Sequence, residues 1–186
     1  MKRFLDLLVV VPASIVFLIP AGFVALMIRL TSKGPIIFWS ERVGQYNKNF
    51  KMPKFRTMRV NTPVVATHLL ADTNQLLTPV GSFLRRSSLD ELPQLWSILL
   101  GDMSFVGPRP ALFNQDDLIR LRTESGVHNL IPGLTGWAQV NGRDELDVTL
   151  KVKLDIEYLE RRSLRFDIYI LWLTLLKVAK REGISH

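Results

Sequence analysis

A run of 22 residues without a single charge, Leu7 to Ile28, constrains this 186-residue chain more than any other feature. At about 1.5 Å per residue a straight helix of that length reaches roughly 33 Å, enough to cross a bilayer. Basic residues flank both sides: Lys2 and Arg3 before, then Arg29, Lys33, Arg42, Lys48, Lys51, Lys54, Arg56 and Arg59 after. Lys and Arg collect on the cytoplasmic side, so two basic flanks fit a simple crossing poorly. Pro20, inside the run, removes a backbone donor and clashes with the carbonyl four residues earlier. A bent, re-entrant hairpin that enters one leaflet and returns satisfies length, charge and proline together. On length alone a single crossing stays open as the alternative. A cleaved leader fits less well, because the apolar stretch outlasts an ordinary h-region and continues past Ala21 and Gly22. In either arrangement the basic excess just after the run puts the body on the cytoplasmic side.

The formal charge is +7, but it is unevenly placed. Residues 1–60 hold ten Lys or Arg against two acids, while the remaining 126 residues are close to neutral. The excess therefore belongs to the membrane-proximal segment, where anionic lipid headgroups or a phosphate-bearing substrate are its natural partners. Nucleic acid, the ordinary reading of a basic chain, fits poorly with charge that sits beside a lipid-embedded helix. Without cysteine there are no disulfides, no thiol chemistry and no cysteine-ligated zinc; the three histidines are not spaced as a metal pair. Length allows one domain, with residues 1–33 as the membrane helix and 34–186 as the body.

Within the body, residues 35–40 read as a strand, with 50–58 as its hairpin partner on an edge that tolerates Pro53. Residues 60–80 read as loop with a short helix. Helices follow around Val80, Phe83 and Leu84, and from Ser88 to Leu100, stopping at Gly101. Residues 111–130 read as one amphipathic helix, Trp137 to Val140 as extended chain, and 146–162 as a charged helix. Phe166 to Val178 is apolar and aromatic but uncharged over only nine residues, too short to span, and reads as a buried or interfacial helix along the surface. The fold class expected is α+β, mostly helical and monotopic.

Chemistry concentrates in three places. In Arg85-Arg86-Ser87-Ser88-Leu89-Asp90-Glu91 two carboxylates occupy a first helical turn. Ser88 and Glu91 have the spacing of a capping box, which is one reading; the other is a phosphate site at a helix start, with one carboxylate as nucleophile or metal ligand. Arg109 stands between Pro108 and Pro110, which offers a guanidinium for bidentate phosphate binding from a stiff loop, or simply makes a turn. Pro132-Gly133-Leu134-Thr135-Gly136 and Asn141-Gly142-Arg143 either bring amides to a phosphate or are plain turns. Lys54 and Arg56 lie where they would meet an anionic headgroup.

These segments in order, Lys54-Phe55-Arg56-Thr57-Met58, Arg85 to Leu95, Gly101 to Pro110 and Pro132 to Arg143, resemble the bacterial sugar transferases over nearly the whole chain. More narrowly the chain is similar to the small monotopic phosphoglycosyl transferases. The resemblance implies an enzyme of the bacterial inner membrane, with its catalytic domain on the cytoplasmic face. It would move a phospho-sugar from a UDP-sugar, an N-acetylated hexose derivative by similarity to minimal members, to undecaprenyl phosphate with release of UMP. It also implies Asp90 as nucleophile forming a phosphosugar intermediate, Glu91 handling proton or metal, and Mg²⁺ at Asp90. Arg85, Arg109, Arg143, Lys54, Arg56 and, from an Asp-x-x-Tyr match, Asp155 are the implied substrate-binding residues. Ile19 departs from the serine that precedes the bend proline in the family, and Pro12 is an additional proline. No extra N-terminal transmembrane domain is expected.

Overall fold

The computed structural model describes residues 2–63, 73–142 and 146–180. In chain order these form α1 (Lys2–Thr31), β1 (Ile37–Val43), β2 (Asn49–Phe55), α2 (Thr73–Leu76), α3 (Gly81–Arg86) and α4 (Gln94–Leu100), then β3 (Ser104–Val106) and β4 (Ala111–Leu112). There follow α5 (Asp116–Glu124), β5 (Gly133–Thr135), α6 (Trp137–Val140), α7 (Val148–Arg161) and α8 (Leu164–Lys180). Two small sheets sit among the helices: β2-β1-β4, and a parallel pair of β3 with β5. The chain is thus α+β and mostly helical.

β1 and β2 form the expected antiparallel hairpin, and β2 is an edge strand, so Pro53 opposite Trp39 costs no central ladder bond. Three other expectations are corrected. Residues 111–130 are not one helix: Ala111 and Leu112 pair with β1, and only Asp116–Glu124 is α-helical. Trp137–Val140 is a helical turn, not extended chain. Glycine explains part of the third. Two glycine amides are spent on backbone: Gly107 N–H donates to Thr135 and Gly133 N–H to Pro108, both at 2.9 Å. A Cβ on Gly133 would lie 2.1 Å from the Gly107 nitrogen, so these glycines serve close chain packing, not a phosphate.

α1 is held to the body at both ends. Val10 packs with Met52, Ile98 and Met103, while Val24 and Ile28 pack with Phe55 and Leu84. Polar contacts key the first end. Asp6, buried, accepts from the Ser104 hydroxyl at 3.0 Å and the Phe105 N–H at 3.1 Å. Arg3 donates to the carbonyls of Ile98 and Leu99 in the last turn of α4. Lys2 pairs with Asp167 at 2.6 Å and bonds Tyr158. Between the two ends, Ile15 to Pro20 are exposed at six successive positions, which covers every side of a helix.

α7 and α8 close the main core, where Tyr158, Phe166 and Ile170 pack with Val106, Val127 and Val140. The outer side of α8 leaves Ile168, Tyr169, Trp172 and Leu175 exposed. α5 and α7 are joined by a buried ion pair in which Arg122 Nε and Nη2 converge on Asp155 Oδ2 at 3.0 and 2.6 Å. Burial pushes the Asp155 carboxyl up while Arg122 pulls it back. Such a pair adds little net stability, yet removing one member strands the other charge. Asp155→Leu alone is therefore expected to destabilise the protein by about 3–5 kcal/mol in denaturant unfolding in detergent. Adding Arg122→Met to it should recover a large part of that loss.

Candidate active site

α3 ends at Ser87, and Ser88 takes a left-handed conformation (φ 55°) that turns the chain before Leu89–Glu91 forms a single 3₁₀ turn. Pro93 has no N–H to give Leu89, so the Leu89 carbonyl accepts from Leu92 N–H at 3.3 Å and the α-helix begins only at Gln94. The expected helix from Ser88 to Leu100 is thus split. The capping box is not made either: Ser88 caps nothing with its side chain. Glu91 faces elsewhere, and Asp90 and Glu91 leave the turn in different directions.

Glu91 Oε1 accepts from Lys54 Nζ at 2.9 Å and from Arg109 Nη2 at 3.0 Å. Burial would raise its carboxyl, but these two cations outweigh burial and hold it well below the usual carboxylate range. In that state Glu91 is an anion held between Lys54 and Arg109. Lys54 is itself lowered by burial, with Glu91 opposing. Asp90 is 8% exposed and makes no ion pair or hydrogen bond with a described residue. Burial pushes its carboxyl up to about 6; Lys54 pulls against that, Glu91 adds to it, and Arg85 and Arg109 pull against it. Two adjacent carboxylates are thereby driven apart, one fixed as an anion and one left with its oxygens unspent.

The supports of this centre come from four elements. Lys54 projects from β2, opposite Phe38. Arg85, at the end of α3, donates from Nε to the Thr57 hydroxyl at 3.1 Å. The Pro108-Arg109-Pro110 loop is pinned on both sides: Arg42 donates to the Pro110 carbonyl at 3.2 Å and Arg122 to the Arg109 carbonyl at 2.8 Å. Asp155 thus reaches the site only through Arg122 and the Arg109 carbonyl. Arg56 turns away toward the end of α1, where it donates to Ser32. Arg143 lies outside the described residues. Arg122, Arg42 and Thr57 were not foreseen, because a second arginine behind a Pro-Arg-Pro loop leaves no local signal in sequence.

Chemically, three cations (Lys54, Arg85, Arg109) surround two acids, one of which is consumed by two of the cations. That surplus suits an anionic substrate with several charged oxygens, a phosphate ester above all. Among the described residues no group of three metal-ligating side chains occurs.

The profile of the family described as bacterial sugar transferase matches residues 1–181. The chain is 44% identical over 163 residues to the UDP-glucose:undecaprenyl-phosphate glucose-1-phosphate transferase of Escherichia coli K12, a match covering 83% of this chain and 35% of that protein. It is 41% identical over 166 residues to the uncharacterized sugar transferase EpsL of Bacillus subtilis, covering 88% and 80%. It is 35% identical over 179 residues to the UDP-N-acetylgalactosamine-undecaprenyl-phosphate N-acetylgalactosaminephosphotransferase of Aeromonas hydrophila, covering 94% and 42%. The chain therefore spans well under half of two of these relatives and most of the third. A match running from the first residue of α1 through the Asp90 turn to the end of α8 makes this chain a member of the bacterial sugar transferase family.

Proposed function

We propose that the protein transfers a phospho-sugar from a UDP-sugar to undecaprenyl phosphate and releases UMP, through a covalent intermediate on Asp90, in the assembly of a surface glycan. The observation that carries this reading is a buried carboxylate with unspent oxygens, set beside a second carboxylate that has been tied off by Lys54 and Arg109. The family relatives named for UDP-sugars and undecaprenyl phosphate supply the substrate classes.

In this reading an Asp90 oxygen attacks the β-phosphorus of the donor. The new P–O bond forms as the bridge to the α-phosphorus breaks, and UMP departs with the bridging oxygen. A phosphate oxygen of the lipid then attacks the same phosphorus and frees the Asp90 carboxylate, giving a lipid diphospho-sugar. Lys54, Arg85 and Arg109 offset the charge that builds on the equatorial and leaving oxygens. Two half-reactions let a soluble donor and a lipid acceptor use one centre in turn. Mg²⁺ belongs to the proposal too: it takes one or two carboxylates plus substrate phosphates, and Asp90 with the donor's diphosphate is such a set. When bound, it would neutralise diphosphate charge. Relatives named for glucose and N-acetylgalactosamine leave the donor to a panel, with an N-acetylated hexose as our expectation.

We also propose that α1 is re-entrant and α8 interfacial, with the body on the cytoplasmic face of the inner membrane. α1 is long and apolar enough to cross, with a mean hydropathy of 2.6 over 18 residues. Yet both of its ends pack on one body while Ile15–Pro20 is exposed all round, as suits a wedge dipping into one leaflet and turning at Pro20. The exposed Tyr169 and Trp172 on α8 suit the headgroup level.

Asp90→Asn is expected to abolish UMP release from a UDP-sugar panel, a loss of at least 10³-fold on the order of that for removing a nucleophile, while membrane association persists. Release of UDP by the unaltered protein would instead make it a sugar-only transferase. Chelation of divalent cations should stop turnover, and Mg²⁺ should restore it, with thermal unfolding unchanged. Because the chain has no cysteine, Lys2→Cys and Lys33→Cys report topology cleanly. Both should be shielded from an impermeant thiol reagent outside intact cells, and labelling at residue 2 alone would restore a single crossing.

A further inference from the structure

We propose that Arg56 forms a second phosphate site, at the end of α1, that takes the phosphate of a membrane lipid. The ground is a buried charge without a counter-ion. Arg56 is 5% exposed. One nitrogen, Nη2, donates to the Ser32 carbonyl at 3.2 Å and the Ser32 hydroxyl at 2.6 Å. Nε and Nη1 are buried with no hydrogen-bond partner, and none of the ion pairs among the described residues includes Arg56. A guanidinium does not shed its proton, and a buried charge left unpaired is strongly unfavourable. Capping the last turn of α1 explains one nitrogen and leaves two unexplained.

The surroundings suit an incoming anion. Gly34 (φ 113°) makes room for the guanidinium: a Cβ there would lie 2.1 Å from Arg56 Nη1 and 2.8 Å from Val60 Cγ2. Val60 borders the same spot and is 62% exposed, so a small side chain at the surface neighbours the guanidinium. Arg29, Lys33 and Arg59 belong to the segments that meet here, and they offset the negative end of the α1 dipole. The chain leaves β2 still extended, with Arg56 N–H donating to the Ile36 carbonyl at 2.9 Å. Ser32 follows directly on the last turn of α1, so a phosphate carried on a lipid beside that apolar helix is the form that would reach Arg56. Only the identity of that lipid as acceptor rests on the proposed function; a bulk anionic phospholipid has the same headgroup chemistry.

Thermal unfolding of the full-length protein in detergent tests this without turnover, so failure of the transferase reading would not disturb it. The probes are farnesyl phosphate, phosphatidylglycerol and inorganic phosphate. Near saturation a phosphate-bearing lipid should raise the unfolding temperature by roughly 5 °C or more. Arg56→Gln should lose that shift without unfolding earlier when no lipid is present. Val60→Asp, which sets a carboxylate beside Nη1, should unfold later without lipid and also lose the shift. A response to farnesyl phosphate alone assigns the acceptor, and an equal response to phosphatidylglycerol assigns a headgroup site. A response to inorganic phosphate alone, none to any probe, or full lipid responses in both variants would overturn the proposal. So would Arg56→Gln simply lowering the unfolding temperature while keeping the shift, the signature of a helix cap.

Discussion

Glu91 Oε1 is shared by Lys54 and Arg109, and the geometry of the candidate centre depends on that sharing. The two cations come from an edge strand and a proline-framed loop some 55 residues apart in sequence. Brought together without an anion between them they would repel, and each would lose hydration for nothing. One carboxylate between them turns repulsion into a three-point clamp. It also leaves their outward field to act on Asp90, whose carboxyl burial alone would drive further toward protonation. Glu91 itself pushes the Asp90 carboxyl further up, so it is the cations it holds in place that pull against burial. That is a division of labour between adjacent residues that a capping box could not have provided.

The parts of the fold legible in sequence are those with a local cause. The charge-free run, the hairpin with its edge proline and the long amphipathic α7 follow from composition and periodicity within one segment. Illegible parts had a non-local cause. Residues 111–130 carry a helical pattern, yet Ala111 and Leu112 gain more by joining β1. Trp137 to Val140 looks extended by propensity, but Trp137 lies against Phe166, with its indole N–H on Glu157, which coils the turn onto α7 and α8. Glycines that read as a phosphate cradle proved to be crossing points of two backbones. At the site, Asp90, Glu91, Lys54, Arg85 and Arg109 were marked as candidates from sequence, and the structure brings them together. Asp155, the candidate from the Asp-x-x-Tyr match, is buried on Arg122, which in turn holds the Arg109 carbonyl behind the loop.

α1 is also more than an anchor in its contacts. Ile15 to Pro20 in its middle are exposed, but its start carries three polar keys. Asp6 binds the strand that leads into the Arg109 loop, Arg3 binds the end of the helix that follows Asp90, and Lys2 binds Asp167 on α8. Polar contacts of this kind are directional, so they fix the depth and rotation of the helix start relative to the body. The apolar contacts of Val24 and Ile28 at the other end carry no such register. The contacts of the N-terminal turn therefore tie the placement of α1 to the elements that frame the candidate site.

The buried charges then follow one rule with two exceptions. Asp155 and Arg122 answer each other, Glu91 answers Lys54 and Arg109, and Asp6 is satisfied by hydroxyl and amide. A protein interior tolerates charge on those terms, since each ion gains back through a partner part of what it loses in hydration. Asp90 stands outside the rule, with no hydrogen bond or ion pair to a described residue, which is the state that the proposed nucleophile needs. Arg56 stands outside it with the opposite sign, one strand-step from Lys54. An unanswered anion and an unanswered cation in one small body could have neutralised each other had the chain placed them in contact. In the readings proposed above, ligands complete both. A phosphorus centre for Asp90 and a phosphate for Arg56 are complements of the same chemical kind.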